Sequence, residues 1–172
     1  FKNYREMIRQ KFDKIETDSE KDILKVGIIG EIFTVIDSFV NQNIEQNLGE
    51  MGVHAHRDLN LTAFVRCNLW PFSKRKIEKQ AKDYLSFNVG GHGLESVAEM
   101  INYGKNGFDG VIHLFPFSCM PEVTVRPILE KIRQDKNIPL LSLSLDEQSG
   151  QAGLRTRLEA FVDLIKAHKS KK

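Results

Sequence analysis

Cysteine is scarce in this chain. Only Cys67 and Cys119 occur among 172 residues, far apart and without a CxxC spacing. That argues against a disulfide scaffold and against a self-contained zinc site, and it fits a reducing, cytoplasmic compartment. No apolar stretch approaches the roughly 18 to 20 residues of a membrane span. The N-terminus lacks a basic region followed by an apolar core and a cleavage site, so nothing marks export. Excess charge of one sign is also missing. Lysine and arginine number 25 against 23 aspartates and glutamates, a formal +2, which gives no reason to invoke nucleic acid or an anionic surface. The small excess sits largely in Lys166–Lys172, read as frayed, solvated lysines. Internal repeats and low-complexity linkers are absent. So is an initiator methionine: the chain starts at Phe1 inside a helical pattern, and the expectation is a segment excised from a longer protein.

What is present reads as alternating strands and helices. Tyr4, Met7, Ile8, Phe12 and Ile15 recur at helical spacing and give residues 3–16 an amphipathic stripe that something must cover. Leu24–Gly30 is a short, almost continuously apolar run, as expected of a strand buried on both faces. Ile36, Phe39, Val40, Ile44 and Leu48 predict one helix, stopped by Gly49 or Gly52. Val53–Asp58 is the second strand, at an edge, with His54, His56 and Asp58 on one face. Between residues 59 and 88 the pattern weakens: Trp70-Pro71-Phe72 suggests a turn and Ser73 a cap for a basic helix through Tyr84. Leu94, Val97, Ala98 and Ile101 mark the next helix, Gly110–Phe115 the third strand, and Val125, Ile128, Leu129 and Ile132 the helix after it. Ile138–Leu145 is the fourth strand, with Pro139 tolerable near its start. Leu154, Leu158, Phe161, Val162 and Ile165 form the last helix. Right-handed crossovers between parallel strands then make a three-layer α/β fold with strand order 2-1-3-4 the economical topology. The expected division is an N-terminal helix and linker over 1–22, an α/β domain over 23–168 and a basic tail over 169–172.

In such sheets ligands bind beyond the carboxyl ends of the strands. That rim collects Gly30–Thr34, Pro116-Phe117-Ser118-Cys119-Met120-Pro121 and Asp146–Gly150, with Gly91-His92-Gly93 opening another helix towards it. Gly91–Ser96 has the GxG opening of a phosphate loop but no third glycine and no preceding strand, so it reads as a helix-entry turn or an anion cradle. Glu31 puts a carboxylate at the first turn and suits a neutral polar ligand better than a phosphate. Cys119 stands where the helix beginning near Pro121 would lower its thiol pKa. A thiolate ligand, a reactive cysteine and a half-buried structural cysteine all remain open. Cys67 is read as structural, the His54/His56 pair as a solvated edge rather than a metal site, and His113 as a satisfied core histidine. No catalytic triad can be assembled.

Three segments carry a family resemblance: Val26–Ile32, Gly110–Glu122 and Leu143–Phe161. Together they resemble the C-terminal domain of the 2-hydroxyacyl-CoA dehydratase D-component and benzoyl-CoA reductase superfamily, in its branch related to CoA-enzyme activases, over about Lys25 to Ile165. The resemblance implies a flavodoxin-like (Rossmann-like) half of a two-domain iron-sulfur protein. A [4Fe-4S] cluster would lie between the halves, fed by ATP-driven, low-potential electron transfer in anaerobic metabolism. Cys119 matches the cluster cysteine of the C-terminal half. Glu31, Gly91, His92, Gly93, Ser118 and Met120 are expected to shape the neighbouring substrate cleft. Implied partners are an upstream domain of the same chain, an ATP-hydrolysing activase and an acyl-CoA; neither nucleic acid nor a membrane is expected. One matched cysteine cannot hold a cluster, so this segment alone is expected to carry no cofactor and to be inactive. The alternative is a flavodoxin-like module that binds a ligand or partner without redox chemistry. A further alternative is a regulatory partner of an activase docking through residues 3–16.

Overall fold

The structure, a computed structural model, describes residues 2–15, 22–62, 65, 69, 71–147 and 150–171. At its centre lie β1 (Leu24–Gly30), β2 (Val53–His56), β3 (Gly110–Pro116) and β4 (Leu140–Leu145). They pair in the order β2-β1-β3-β4, every pair parallel, as the crossover argument expects. Around them run α1 (Lys2–Phe12), α2 (Ile32–Ile36), α3 (Ile44–Glu50), α4 (Pro71–Ala81), α5 (Gly93–Lys105), α6 (Met120–Lys136) and α7 (Gln151–Lys169).

Two apolar layers explain why β1 and β3 are nearly uninterrupted hydrophobic runs. Val26, Ile28, Ile112 and Leu114 pack with Val35, Ile44, Leu48, Leu158 and Ile165 from α2, α3 and α7. On the opposite face, Ile29 and Val111 pack with Ala81, Val97, Met100, Leu129 and Ile132 from α4, α5 and α6. Burial on both faces leaves no room for alternation. The second layer is tight enough that a Cβ on Gly27 would lie 2.3 Å from the ring of Tyr103. α5 therefore rests on bare β1 backbone at that point.

Three departures from the sequence-based expectation have a local reason. The single helix expected through Ile36–Leu48 is two short ones. Asp37 Oδ1 accepts the Phe39 and Val40 amides (2.9 and 3.0 Å), and Asn41 Nδ2 donates to Val35 O (3.1 Å). Gln42 and Asn43 then take positive φ of 55° and 56°. Side chains that bond nearby backbone offer the chain an alternative to the helical ladder; Phe39 is turned out to solvent as a result, 92% exposed. Second, Pro71 and Phe72 begin α4 rather than forming a turn, and Ser73 is interior to the helix; proline suits a first turn, whose amides have no intrahelical acceptor. Third, Lys166 and Lys169 of the expected frayed tail belong to α7. Lys169 Nζ lies 2.8 Å from Asp22 and 3.5 Å from Asp109. β2 is shorter than expected, ending at His56. Cys67, Trp70, Gln148 and Ser149 lie outside the described residues.

Candidate functional site

β1 and β3 are adjacent and end together, so the segments that leave them share one rim. The Glu31 amide donates to Leu114 O at 3.0 Å, carrying the pairing one residue past Gly30. Gly30 has φ +137°, and a Cβ there would fall 1.8 Å from Leu114 O, so only glycine permits this exit. Glu31 then caps α2. Its carboxylate accepts from the Phe33 amide (3.0 Å), the Thr34 amide (2.9 Å) and Thr34 Oγ1 (2.9 Å). The amides that would greet an anion are taken by the chain's own carboxylate.

Cys119 caps α6 differently. Its backbone is extended (φ −75°, ψ 94°), its amide donates to Pro116 O at 3.0 Å, and its side chain makes no capping hydrogen bond. The thiol is half-buried and not in a disulfide. Ser118 and Met120 are exposed on either side, and Phe117 and Phe33 also face solvent, 73% and 62% exposed. The loop before α5 closes the third side. A Cβ on Gly91 (φ +52°) would lie 2.9 Å from Pro121 Cγ, and one on Gly93 3.0 Å from Pro121 O. His92, half-buried, is the N-cap of α5 without a side-chain capping bond. The structure thus brings Gly91, His92 and Gly93 beside the Cys119 turn, with Ser118 and Met120 at its lip. Glu31 is near enough to act on the thiol electrostatically.

The thiol does not behave as the helix start alone predicts. Burial raises its pKa, the carboxylates of Glu122 and Glu31 push the same way, and the Glu122 backbone amide opposes them. A helix N-terminus lowers a thiol pKa only where nothing outweighs it. Here two carboxylates and partial desolvation do.

Directly behind the turn lies a group that sequence reasoning missed. His113 Nε2 and Glu122 Oε2 are 2.8 Å apart and neither side chain is exposed. Ser96 Oγ donates to Glu122 Oε1 at 3.2 Å, and Ser142 Oγ lies 3.5 Å from His113 Nδ1. His113 also stacks on Phe115, with ring centroids 4.6 Å apart, and Arg126 lies over the same ring. His113 is the satisfied core histidine that its strand pattern suggests; its partner is what went unnoticed. Glu122 shares one helical stripe with Val125, Leu129 and Ile132, all buried. A carboxylate on an apolar stripe was the available signal, because such a group needs a partner across the interface. The network ties β3, β4, α5 and α6 together immediately beneath Cys119.

Elsewhere, His56 Nε2 pairs with Asp58 at 3.2 Å while His54 is exposed. Among the described residues no three His, Cys, Asp or Glu side chains gather as a group suited to a metal ion. None of the described helices is long and apolar enough to cross a membrane.

The family model of the 2-hydroxyglutaryl-CoA dehydratase D-component matches residues 2–165. This chain belongs to that family. No curated protein matches it. The match extends the resemblance seen from Lys25 onward to include α1, and identifies a 2-hydroxyacyl-CoA dehydratase-like protein.

Proposed function

We propose that this chain is the cluster-supporting half of a 2-hydroxyacyl-CoA dehydratase-like iron-sulfur protein, with Cys119 as one thiolate ligand of an interdomain cluster. The supporting observation is the state of Cys119: half-buried, free, at the carboxyl rim of the sheet, and not engaged in capping its own helix. The residues present fit one corner of a cluster and no more, since among the described residues no three His, Cys, Asp or Glu side chains gather as a group that could hold a metal. The remaining ligands come from outside this chain, and the chain alone is inactive. A bound cluster would supply low-potential one-electron transfer to an acyl-CoA thioester, and an ATP-hydrolysing activase would supply the electron. This chain's own residues hold and shield. The His113–Glu122 pair anchors the first turn of α6, Pro121 seats it against Gly91 and Gly93, and Phe117 and Met120 present apolar surface that excludes water once covered. The raised thiol pKa is compatible with ligation, because a coordinating metal deprotonates the thiol outright.

The same raised pKa favours a second reading, in which Cys119 stays a neutral packing thiol in a ligand- or partner-binding module without redox chemistry. Anaerobic iron-sulfur reconstitution of the complete protein, with and without Cys119→Ser, separates the two. Iron content and visible absorbance should fall in the variant. If they equal the parent's, the ligand assignment is wrong and the binding-module reading stands.

A further inference from the structure

The first turn of α6 leaves one amide unspent beside Cys119. A helix-cap side chain accepts from the second or third amide of its helix. Here the second residue is Pro121, which has no N–H, and the third is Glu122. The Val123 amide donates to Cys119 O at 3.0 Å and starts the helical ladder. Among the described residues the Glu122 amide donates to no carbonyl, and the group it acts on is the Cys119 thiol.

The other end of the same residue is held inside the core. The Glu122 side chain is fully buried; one carboxylate oxygen accepts from Ser96 Oγ at 3.2 Å and the other lies 2.8 Å from His113 Nε2. His113 Nδ1 lies in turn 3.5 Å from Ser142 Oγ. Both oxygens are committed inwards, to α5 and β3, so Glu122 cannot turn without leaving a buried polar group unpaired. Charge and amide from this one residue oppose each other at the sulfur. The carboxylate disfavours negative charge there and the amide favours it. The buried bonds keep the carboxylate on Ser96 and His113 while the amide faces Cys119.

We propose, on the reading of Cys119 as a cluster ligand, that Ser96 is a positioning residue: through the Glu122 carboxylate it aims the Glu122 amide at the Cys119 sulfur, which then receives a fixed N–H···S hydrogen bond. Hydrogen bonds to ligand sulfurs help to set the potential of an iron-sulfur centre, because they steady the added negative charge of its reduced state. Loosening this one makes the centre harder to reduce.

Two measurements test this. In the complete protein, reconstituted anaerobically, Ser96→Ala should keep the parent's iron content and shift the reduction potential to a more negative value. Ser96→Thr, which retains the hydroxyl, should return it. In the iron-free protein, hydrogen exchange of the Glu122 amide should run several-fold faster in Cys119→Ala, which removes the sulfur. The Val123 amide is the control, because its acceptor is the Cys119 carbonyl. A Ser96→Ala protein that loses its iron or keeps the parent's potential, a Ser96→Thr protein shifted as far as Ser96→Ala, or a Glu122 amide indifferent to the loss of the sulfur would overturn the proposal. Cys119→Ser tells this failure from that of the ligand reading. Unchanged iron content removes Cys119 as a ligand and the role of Ser96 with it, whereas lost iron beside an unmoved Ser96→Ala potential removes the role of Ser96 alone.

Discussion

Two helices begin side by side on the rim, a few residues beyond β1 and β3, and they begin in opposite ways. α2 is capped by Glu31, whose carboxylate takes two amides and a hydroxyl of its own first turn. α6 is capped by Cys119, whose side chain takes none, and is held from behind by the buried His113–Glu122 pair. The first helix start is closed by its own sequence and is built for stability. The second has no full capping bond from its cap side chain, only the influence of the Glu122 amide on the thiol, and moves the stabilising contact into the core. On the reading of Cys119 proposed above, the difference marks where the chain would offer a group to something outside itself.

The contrast makes a steep prediction at α6. Glu122→Ala leaves His113 buried without its partner and should cost about 3 to 5 kcal/mol of stability. Urea unfolding monitored by circular dichroism measures it. A loss under 1 kcal/mol would mean that the pair is not what seats the first turn of α6. At α2 the prediction is milder: Glu31→Ala removes only a cap, about 1 kcal/mol by the same measurement. If the two losses came out equal, the distinction between a surface cap and a core anchor would collapse.

How much of this was legible beforehand follows from the kind of signal each feature leaves. Strand order and the burial of β1 and β3 could be read from Leu24–Gly30 and Gly110–Phe115, because burial on both faces imposes a run of apolar residues. The break at Asp37–Asn43 could not. Its apolar positions kept helical spacing, and what ended the helix was a set of side-chain bonds by Asp37 and Asn41 that periodicity does not register. The place of Cys119 on the rim was also legible, since it follows from topology. Its pKa was not. A helix start argues for a lowered value, and only folding shows that burial, joined by the nearby carboxylates of Glu122 and Glu31, reverses it. Glu122 itself sat in plain view on the stripe of Val125, Leu129 and Ile132, but no spacing rule connects it to His113 on a strand.

The acidic surroundings of α5 and α6 give a pH-dependent effect. Burial, followed by the carboxylates of Asp58, Glu95 and Glu122, raises the Glu99 pKa from 4.5 to about 8. A carboxyl with a raised folded pKa favours the folded state while protonated. Its contribution is complete below the unfolded pKa and is lost as pH rises through about 8. Stability should therefore decline between pH 5 and pH 8 more steeply in the parent than in Glu99→Gln. Parallel slopes from urea titrations across that range would contradict it.

The smallest effect bears on the comparison most directly. If the Glu31 carboxylate reaches across from α2 to hold the Cys119 thiol neutral, then Glu31→Gln should lower the thiol pKa. In a Cys67→Ser background at pH 7, alkylation of Cys119 should then speed up, by less than about tenfold, because each pKa unit is worth a factor of ten in thiolate. Glu50→Gln, at the end of α3, serves as the control and should leave the rate unchanged. An acceleration in Glu31→Gln alone would show that the closed helix start sets the chemistry of the open one. Equal rates in all three proteins would mean that burial and Glu122 account for the thiol without it, and that the two helix starts, though neighbours, are electrostatically independent.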